Sequence, residues 1–291
     1  MINGHTRTCG LIGNPVEHTM SPVIHNTLAG MLSHNLVYVP LSVEEGNLKD
    51  AIKGAFALNL LGLNITVPYK SQVIPYLARI DDLAEKIGAV NTLVRISEGF
   101  AGYNTDMPGL YRAMSSEGIE IQGQDVILLG AGGAARAVAF LCASKGVNKV
   151  YLLNRSLEKA LIVAEEVNRK AGRECIYPMA LAEYKYLPEK SFLAIQATSV
   201  GLYPEIERAV IEEQDFYSRI HTGYDLIYKP ADTKFMQLVR KQGGRAFHGL
   251  KMLLYQGVIA YELWNHVSVS EETALQVYEV LKEKMGIKES S

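Results

Sequence analysis

Residues 126–136, VILLGAGGAAR, run from an unbroken apolar segment through a glycine-rich turn into a helical pattern. Strand, turn and helix in that order form a dinucleotide-binding start. Gly130, Gly132 and Gly133 allow a tight turn and a close backbone approach to a pyrophosphate, and the helix N–H groups point at it. Ala135 stands where a third glycine is usual and is small enough for helix to pack on strand. Taken alone, the triplet could also be a bare tight turn. The next strand adds to it. A site for NAD places an acidic residue about 20 residues past the glycines, for the ribose hydroxyls. Here YLLNRS, residues 151–156, ends in Asn154, Arg155 and Ser156 with no carboxylate. Arg155 can pair bidentately with a phosphate and stack on adenine, and Ser156 can add a hydrogen bond, so the expected cofactor is NADP. The other reading of Arg155 is a solvated side chain at a strand end.

Outward from this motif, strand-like and helix-like segments alternate, the pattern of α/β architecture with parallel sheets. TCGLIG, LVYVPLS and LGLNITV read as strands in the first third, with helices over 21–33 and 44–56 between them. Ser21 is a natural N-cap there, and Pro22 suits a first helical position. A helix from Asp106 leads into the glycine motif. KVYLLNRS, a helix over 157–170, FLAIQATSVG and TGYDLIY follow, and from His248 the chain is helical again. The expected domains are residues 1–105, 106–246 and a helical segment, 247–291, that returns to the first.

With 29 basic against 31 acidic residues, no global charge points to nucleic acid or an anionic membrane. The longest apolar tract is broken by glycines and Arg136, which argues against a membrane span, and the N-terminus lacks a secretory pattern. Cys9, Cys142 and Cys175 are too few and too scattered for a disulfide framework or a zinc site, and read as buried thiols in a reducing cytoplasm.

Residues 60–73, LLGLNITVPYKSQV, set an ammonium group, Lys70, directly after an apolar run and Pro68. Asn64 and Thr66 lie two apart, and so share a face if both are in a strand. GAVNTL adds Asn91 and GYNTDMPG adds Asp106. Each has an ordinary turn explanation, yet all fall at the ends of expected strands, where ligands bind in such sheets. Thr19 and Ser21 offer two hydroxyls at a helix start, a neutral receptor for a carboxylate. Plain capping is the alternative for Ser21. His18, His25, His221 and His248 sit singly, without ligand spacing or a nucleophile partner, and His25 reads as a packed core residue.

The chain resembles the shikimate dehydrogenase family over almost its full length. GNPVEHTMSPVIHN, LGLNITVPYK, IGAVNT, GYNTDMPG, LLGAGGAARAV, NRSLEKA, ATSVGL, YDLIYKP and GLKMLLYQG carry the resemblance in order. It implies an N-terminal α/β catalytic domain and an NADP-binding Rossmann domain facing each other across a cleft. It also implies reversible reduction of 3-dehydroshikimate to shikimate in a cytoplasmic monomer or homodimer. By the same resemblance Lys70 is the catalytic acid/base with Asp106 beside it. Thr19 and Ser21 hold the carboxylate. Asn64, Thr66, Asn91, Asp106 and Gln256 bond the ring hydroxyls, and Tyr228 helps close the site. Gly130, Ala131, Gly132, Gly133, Ala134, Asn154, Arg155, Ser156, Leu157, Glu158 and Lys159 hold NADP, with Leu226 and Gly249 near the nicotinamide.

Two positions depart from the family pattern: Thr19, where serine is frequent, and Gln196, where asparagine is common before ATS. The first bears on a preference for quinate. No spacing in the sequence suits a metal, so a protein group is expected to meet the developing alkoxide. A carboxylate beside Lys70 opposes its deprotonation, so the lysine is expected to be a proton donor during reduction. A nucleotide-sensing module without catalysis is the competing class, and it has no need of Lys70, Asp106 and the paired hydroxyls together.

Overall fold

The computed structural model describes residues 2–287, and in it the alternation of the sequence becomes two six-stranded sheets. The chain divides into two units. One runs to Leu110 and resumes at Leu253; the other is Tyr111–Met252. In the first, β1 (Arg7–Gly13), α1 (Ser21–Met31), β2 (Leu36–Ser42), α2 (Leu48–Ala57) and β3 (Gly62–Ile65) come first. Then follow β4 (Arg79–Ile80), α3 (Asp82–Ile87), β5 (Thr92–Ile96), β6 (Gly99–Tyr103) and α4 (Asp106–Ser116). The second unit contains β7 (Asp125–Leu129), α5 (Gly133–Ser144), β8 (Lys149–Asn154), α6 (Leu157–Ala171), β9 (Ile176–Ala180) and β10 (Phe192–Gln196). It continues with α7 (Gln214–Tyr217), β11 (Ile220–Asp225), α8 (Lys234–Lys241) and β12 (Arg245–His248). Helices α9 (Leu250–Asn265) and α10 (Glu271–Met285) follow. The two divisions of the chain fall inside α4 and α9.

The first sheet has the order β2-β1-β3-β5-β6-β4 and is mixed, not purely parallel. Strand β5 runs antiparallel to both β3 and β6. Only Ser97 and Glu98 separate β5 from β6, and a two-residue connection can only make a hairpin. The core below this sheet gathers Ile12, Ile52, Leu63, Ile65, Tyr69, Val73, Leu93 and Phe100. Trp264 of α9 is buried and its indole N–H donates to the Leu93 carbonyl at 2.8 Å, which ties the returning C-terminal helix to β5.

The second sheet is parallel throughout, in the order β12-β11-β10-β7-β8-β9. Read from β9, this is the doubly wound arrangement, with its switch point between β7 and β10. Both central strands are apolar runs, as strands covered on two faces must be: DVILL has its last four residues buried, and FLAIQ all five. No helix among the described residues is long and apolar enough to cross a membrane.

Candidate active site

In the first unit the strand directions bring the expected residues to one edge. Strands β1 and β3 are parallel, so the segments leaving Gly13 and Ile65 emerge side by side. They are joined where Thr66 N–H donates to Ile12 and Asn14 N–H to Val67. Strand β5 runs the other way, with Thr92 opposite Asn64, so Asn91 enters the sheet at that same edge. Strand β6 reverses again, and Tyr103 opposite Thr92 returns the chain there just before Asp106. Thr66 lies past the end of β3, so the shared strand face expected for it and Asn64 does not form.

Lys70 Nζ is 2.6 Å from Asp106 Oδ2, with the lysine side chain 34% and the aspartate 20% exposed. The lysine is held from behind. Tyr69 is buried and its hydroxyl donates to Val43 at 2.6 Å, while Val90 N–H donates to the Lys70 carbonyl at 2.8 Å. Asp106 opens α4, where the free N–H groups favour a negative charge. Asn104 accepts from the N–H groups of Asp106 and Met107 and donates to Ala89.

A buried hydrogen-bond chain extends from this pair. Asn91 donates to Asp106 Oδ1 at 2.9 Å and to Thr105 Oγ1 at 3.0 Å, and accepts from Thr105 N–H at 2.7 Å. Thr92 and Thr105 hydroxyls are 3.1 Å apart. Asn64 donates to Thr92 Oγ1 and the Asn91 carbonyl, and accepts from the Tyr38 hydroxyl at 2.7 Å. Both amide hydrogens of Asn64 and of Asn91 are therefore engaged within the protein, which fixes the orientation of each. Thr92, Thr105, Asn104 and Tyr38 were not anticipated from the sequence. The repeated Asn-Thr pair at 91–92 and 104–105 was the signal available.

Thr19 and Ser21 come together with their hydroxyl oxygens 3.2 Å apart, and Ser21 N–H donates to Thr19 Oγ1. Ser21 is the first helical residue, with Met20 at the N-cap position, so the capping expected of Ser21 is corrected. Gln256 lies on α9 and donates to Leu253 at 2.8 Å. It sits against α4, because a Cβ on Gly109 would come within 2.7 Å of the Gln256 backbone nitrogen. His25 is fully buried and stacks on Tyr38 with centroids 4.2 Å apart. Burial pushes its pKa down to about 3, so the ring is a neutral core group.

In the second unit, Gly130 leaves β7 with φ +111°, and a Cβ there would press to 2.8 Å on the Thr198 methyl, so both conformation and space call for glycine. Its N–H donates to Leu153, which aligns the turn with the end of β8. Gly132 is the N-cap position of α5, and Gly132, Gly133 and Ala134 are exposed while Ala135 is buried. That leaves the first N–H groups of a 12-residue helix uncovered by side chains. Ser156 caps α6 by accepting from Lys159 N–H, and Asn154 donates to the Ser156 carbonyl. Arg155, Leu157, Glu158 and Lys159 are exposed beside them. An exposed guanidinium beside a bare helix start, with no acid at the end of β8, fits a phosphorylated ribose. Leu226 follows β11, and Gly249 N–H donates to Ile227 at 2.9 Å. Tyr228 lies in the same loop, and burial raises its phenol pKa.

The model of the shikimate dehydrogenase substrate binding domain matches residues 11–93, and that of shikimate / quinate 5-dehydrogenase matches residues 113–201. A shikimate dehydrogenase (NADP+) from Desulforamulus reducens is 41% identical, with 90% of this chain and 91% of the relative covered. Shikimate 5-dehydrogenase from Listeria monocytogenes, solved with shikimate and NAD, superposes with a TM-score of 0.89. It is 32% identical, over 96% of this chain and 98% of that one. A shikimate dehydrogenase solved with NADP+ gives a TM-score of 0.88 at 34% identity, over 99% and 98% of the two chains.

Proposed function

We propose for this chain, which belongs to the shikimate dehydrogenase family, the reversible NADPH-dependent reduction of 3-dehydroshikimate to shikimate in aromatic amino-acid biosynthesis. The observation that carries the site assignment is the 2.6 Å contact of Lys70 with Asp106, at the sheet edge where Asn91, Asn64 and the paired hydroxyls also arrive.

In the reductive direction the Lys70 ammonium donates its proton to the ketone oxygen as negative charge develops there, so the oxygen stays on its carbon as a hydroxyl and the lysine is left as the neutral amine. NADPH, when bound, supplies the hydride to the carbonyl carbon. Asp106 holds the ammonium by a charge-assisted hydrogen bond, and Asn91 holds the other oxygen of Asp106. In the oxidative direction the neutral amine accepts the proton and passes back to ammonium. Thr19 and Ser21 receive the substrate carboxylate together with the N–H groups at the start of α1. Thr66, Asn64, Asn91, Asp106 and Gln256 orient the ring.

For the cofactor, Gly130 to Ala134 and the α5 N–H groups would hold the pyrophosphate. Asn154, Arg155, Ser156, Leu157, Glu158 and Lys159 would hold the phosphorylated adenosine side, and Leu226 and Gly249 the nicotinamide side. A working place in the cytoplasm agrees with three free buried thiols. Burial raises all three, with Cys9 and Cys142 at about 12.

The test is the rise in absorbance near ~340 nm, where reduced nicotinamide absorbs, on adding shikimate to enzyme and NADP+. Quinate and NAD+ run in parallel report the specificity. No rise with shikimate and NADP+ removes the assignment.

A further inference from the structure

We propose that Asp225 is a positioning residue for the nicotinamide half of the dinucleotide, acting through the loops that follow β10 and β11. The inference rests on the cofactor reading above.

A doubly wound sheet is built of two mononucleotide-binding halves that meet at the switch point. The glycine turn and Arg155 belong to the half made by β7, β8 and β9. The ends of β10, β11 and β12 remain for the second nucleotide. Asp225 is the last residue of β11 and is completely buried, the single carboxylate among the buried residues described. Its three partners are distributed over that edge. Ile227 N–H donates to Oδ1 at 2.9 Å, the Gln196 amide donates to the same oxygen at 3.4 Å, and the Thr233 hydroxyl donates to Oδ2 at 2.6 Å.

Each partner fixes a further stretch of backbone. The Gln196 side chain accepts from Thr198 N–H and donates to the Val200 carbonyl, so it pins the turn that closes over Gly130. Ile227 accepts from Gly249 N–H, and Leu226 N–H donates to the Gln196 backbone, so the ends of β10, β11 and β12 share one hydrogen-bonded frame. Thr233 caps α8 by accepting from Met236 N–H. Gln196, the residue that departs from the family's asparagine, thereby has an assigned task.

A carboxylate at this place costs more than an apolar side chain of similar size, and burial pushes its pKa up to about 6. What it supplies in return is direction: three donors from three segments aimed at one group. An apolar side chain would let the backbone at Thr198–Val200 and Leu226–Ile227 relax, and those are the strands' carboxyl ends where the second nucleotide is received.

The test compares Asp225→Ala, Asp225→Asn and Thr233→Val in the full chain. It uses NADPH fluorescence titration, KM for NADP+ and for shikimate, and melting temperature. Asp225→Ala is expected to weaken NADPH binding and raise KM for NADP+ by about tenfold or more, the loss of one or two hydrogen bonds to a charged group. KM for shikimate is expected to stay within about twofold, because the contacts assigned to Thr19, Ser21, Asn64, Thr66, Asn91 and Asp106 belong to the first unit. Asp225→Asn keeps an accepting oxygen for Ile227 and can donate to Thr233, so it should stay within about threefold of wild type. Thr233→Val, which removes one anchor, covers the case in which the alanine variant does not fold, and should weaken NADPH by about threefold to tenfold. Wild-type affinity in Asp225→Ala, or in Thr233→Val where the alanine variant does not fold, overturns the inference, as does an equal rise in both KM values or an asparagine variant no better than alanine. A wild-type protein that binds no NADPH removes the cofactor reading and this inference with it.

Discussion

Replacing Lys70 by alanine removes the proton donor while leaving the sheet edge standing. Tyr69 remains packed with its hydroxyl on Val43, and Val90 still bonds the carbonyl of residue 70, because both contacts involve parts that the substitution leaves in place. With the lysine side chain 34% exposed, the ion pair contributes no more than about 1 kcal/mol to stability. For a unit of this size that is a fall in melting temperature of about 2–4 °C. The chemical effect is far larger. General acid–base catalysis by a positioned side chain contributes about 10²–10⁴-fold. At 1.36 kcal/mol per tenfold, this is about 3–5 kcal/mol of barrier. Because the substrate carboxylate and ring contacts come from other residues, the loss belongs to kcat, and KM for shikimate should move by less than about threefold. The assay is initial-rate NADP+ reduction with shikimate varied, alongside a melting curve and a shikimate-binding measurement on the same preparation. Turnover within tenfold of wild type, with normal shikimate binding, would show that Lys70 does not move the proton. A loss appearing mainly in KM would make it a binding group instead.

Asn91→Ala leaves Thr105 N–H and one oxygen of Asp106 without their partner. Destabilisation of about 1–3 kcal/mol by urea unfolding is expected, with a fall in kcat; unchanged stability would break the hydrogen-bond chain described. Arg155→Ala should raise KM for NADP+ by about 10- to 100-fold, the value of a charge-assisted pair, with little change for NAD+. Equal effects on both cofactors would refute a phosphate partner. Asp225 supplies a pH dependence. Its pKa rises from an ordinary 3.8 to about 6 on folding, chiefly by burial, so its stabilising contribution is full below 3.8 and is lost as pH rises through about 6. By pH 7 the difference amounts to about 3 kcal/mol. Wild type minus Asp225→Asn, in urea unfolding between about pH 4 and 7.5, should show this decline, and a flat difference would refute it.

The amino-acid sequence by itself determined what depends on neighbours along the chain. An apolar run ending in Gly130 forms strand and turn because each residue's own φ/ψ preferences and hydrophobic period demand it. The same local logic made α1, α5, α6 and the C-terminal helices legible, and it placed Lys70, Asn91 and Asp106 just outside strands. The tertiary structure decided everything that depends on distance across the sheet. The antiparallel course of β5 brings Asn91 to the edge by its start rather than its end. Thr92 and Tyr38 complete the buried chain from positions 28 and 26 residues away from Asn64, and Thr105 joins it through Thr92 from farther along the sequence. Asp225 reads in the sequence as an ordinary acid at a strand end, and became a buried three-way anchor only when Gln196 and Thr233 closed around it. Local preference is a property of a residue and its near neighbours, whereas hydrogen-bond partnership and burial are settled only by which strands lie side by side.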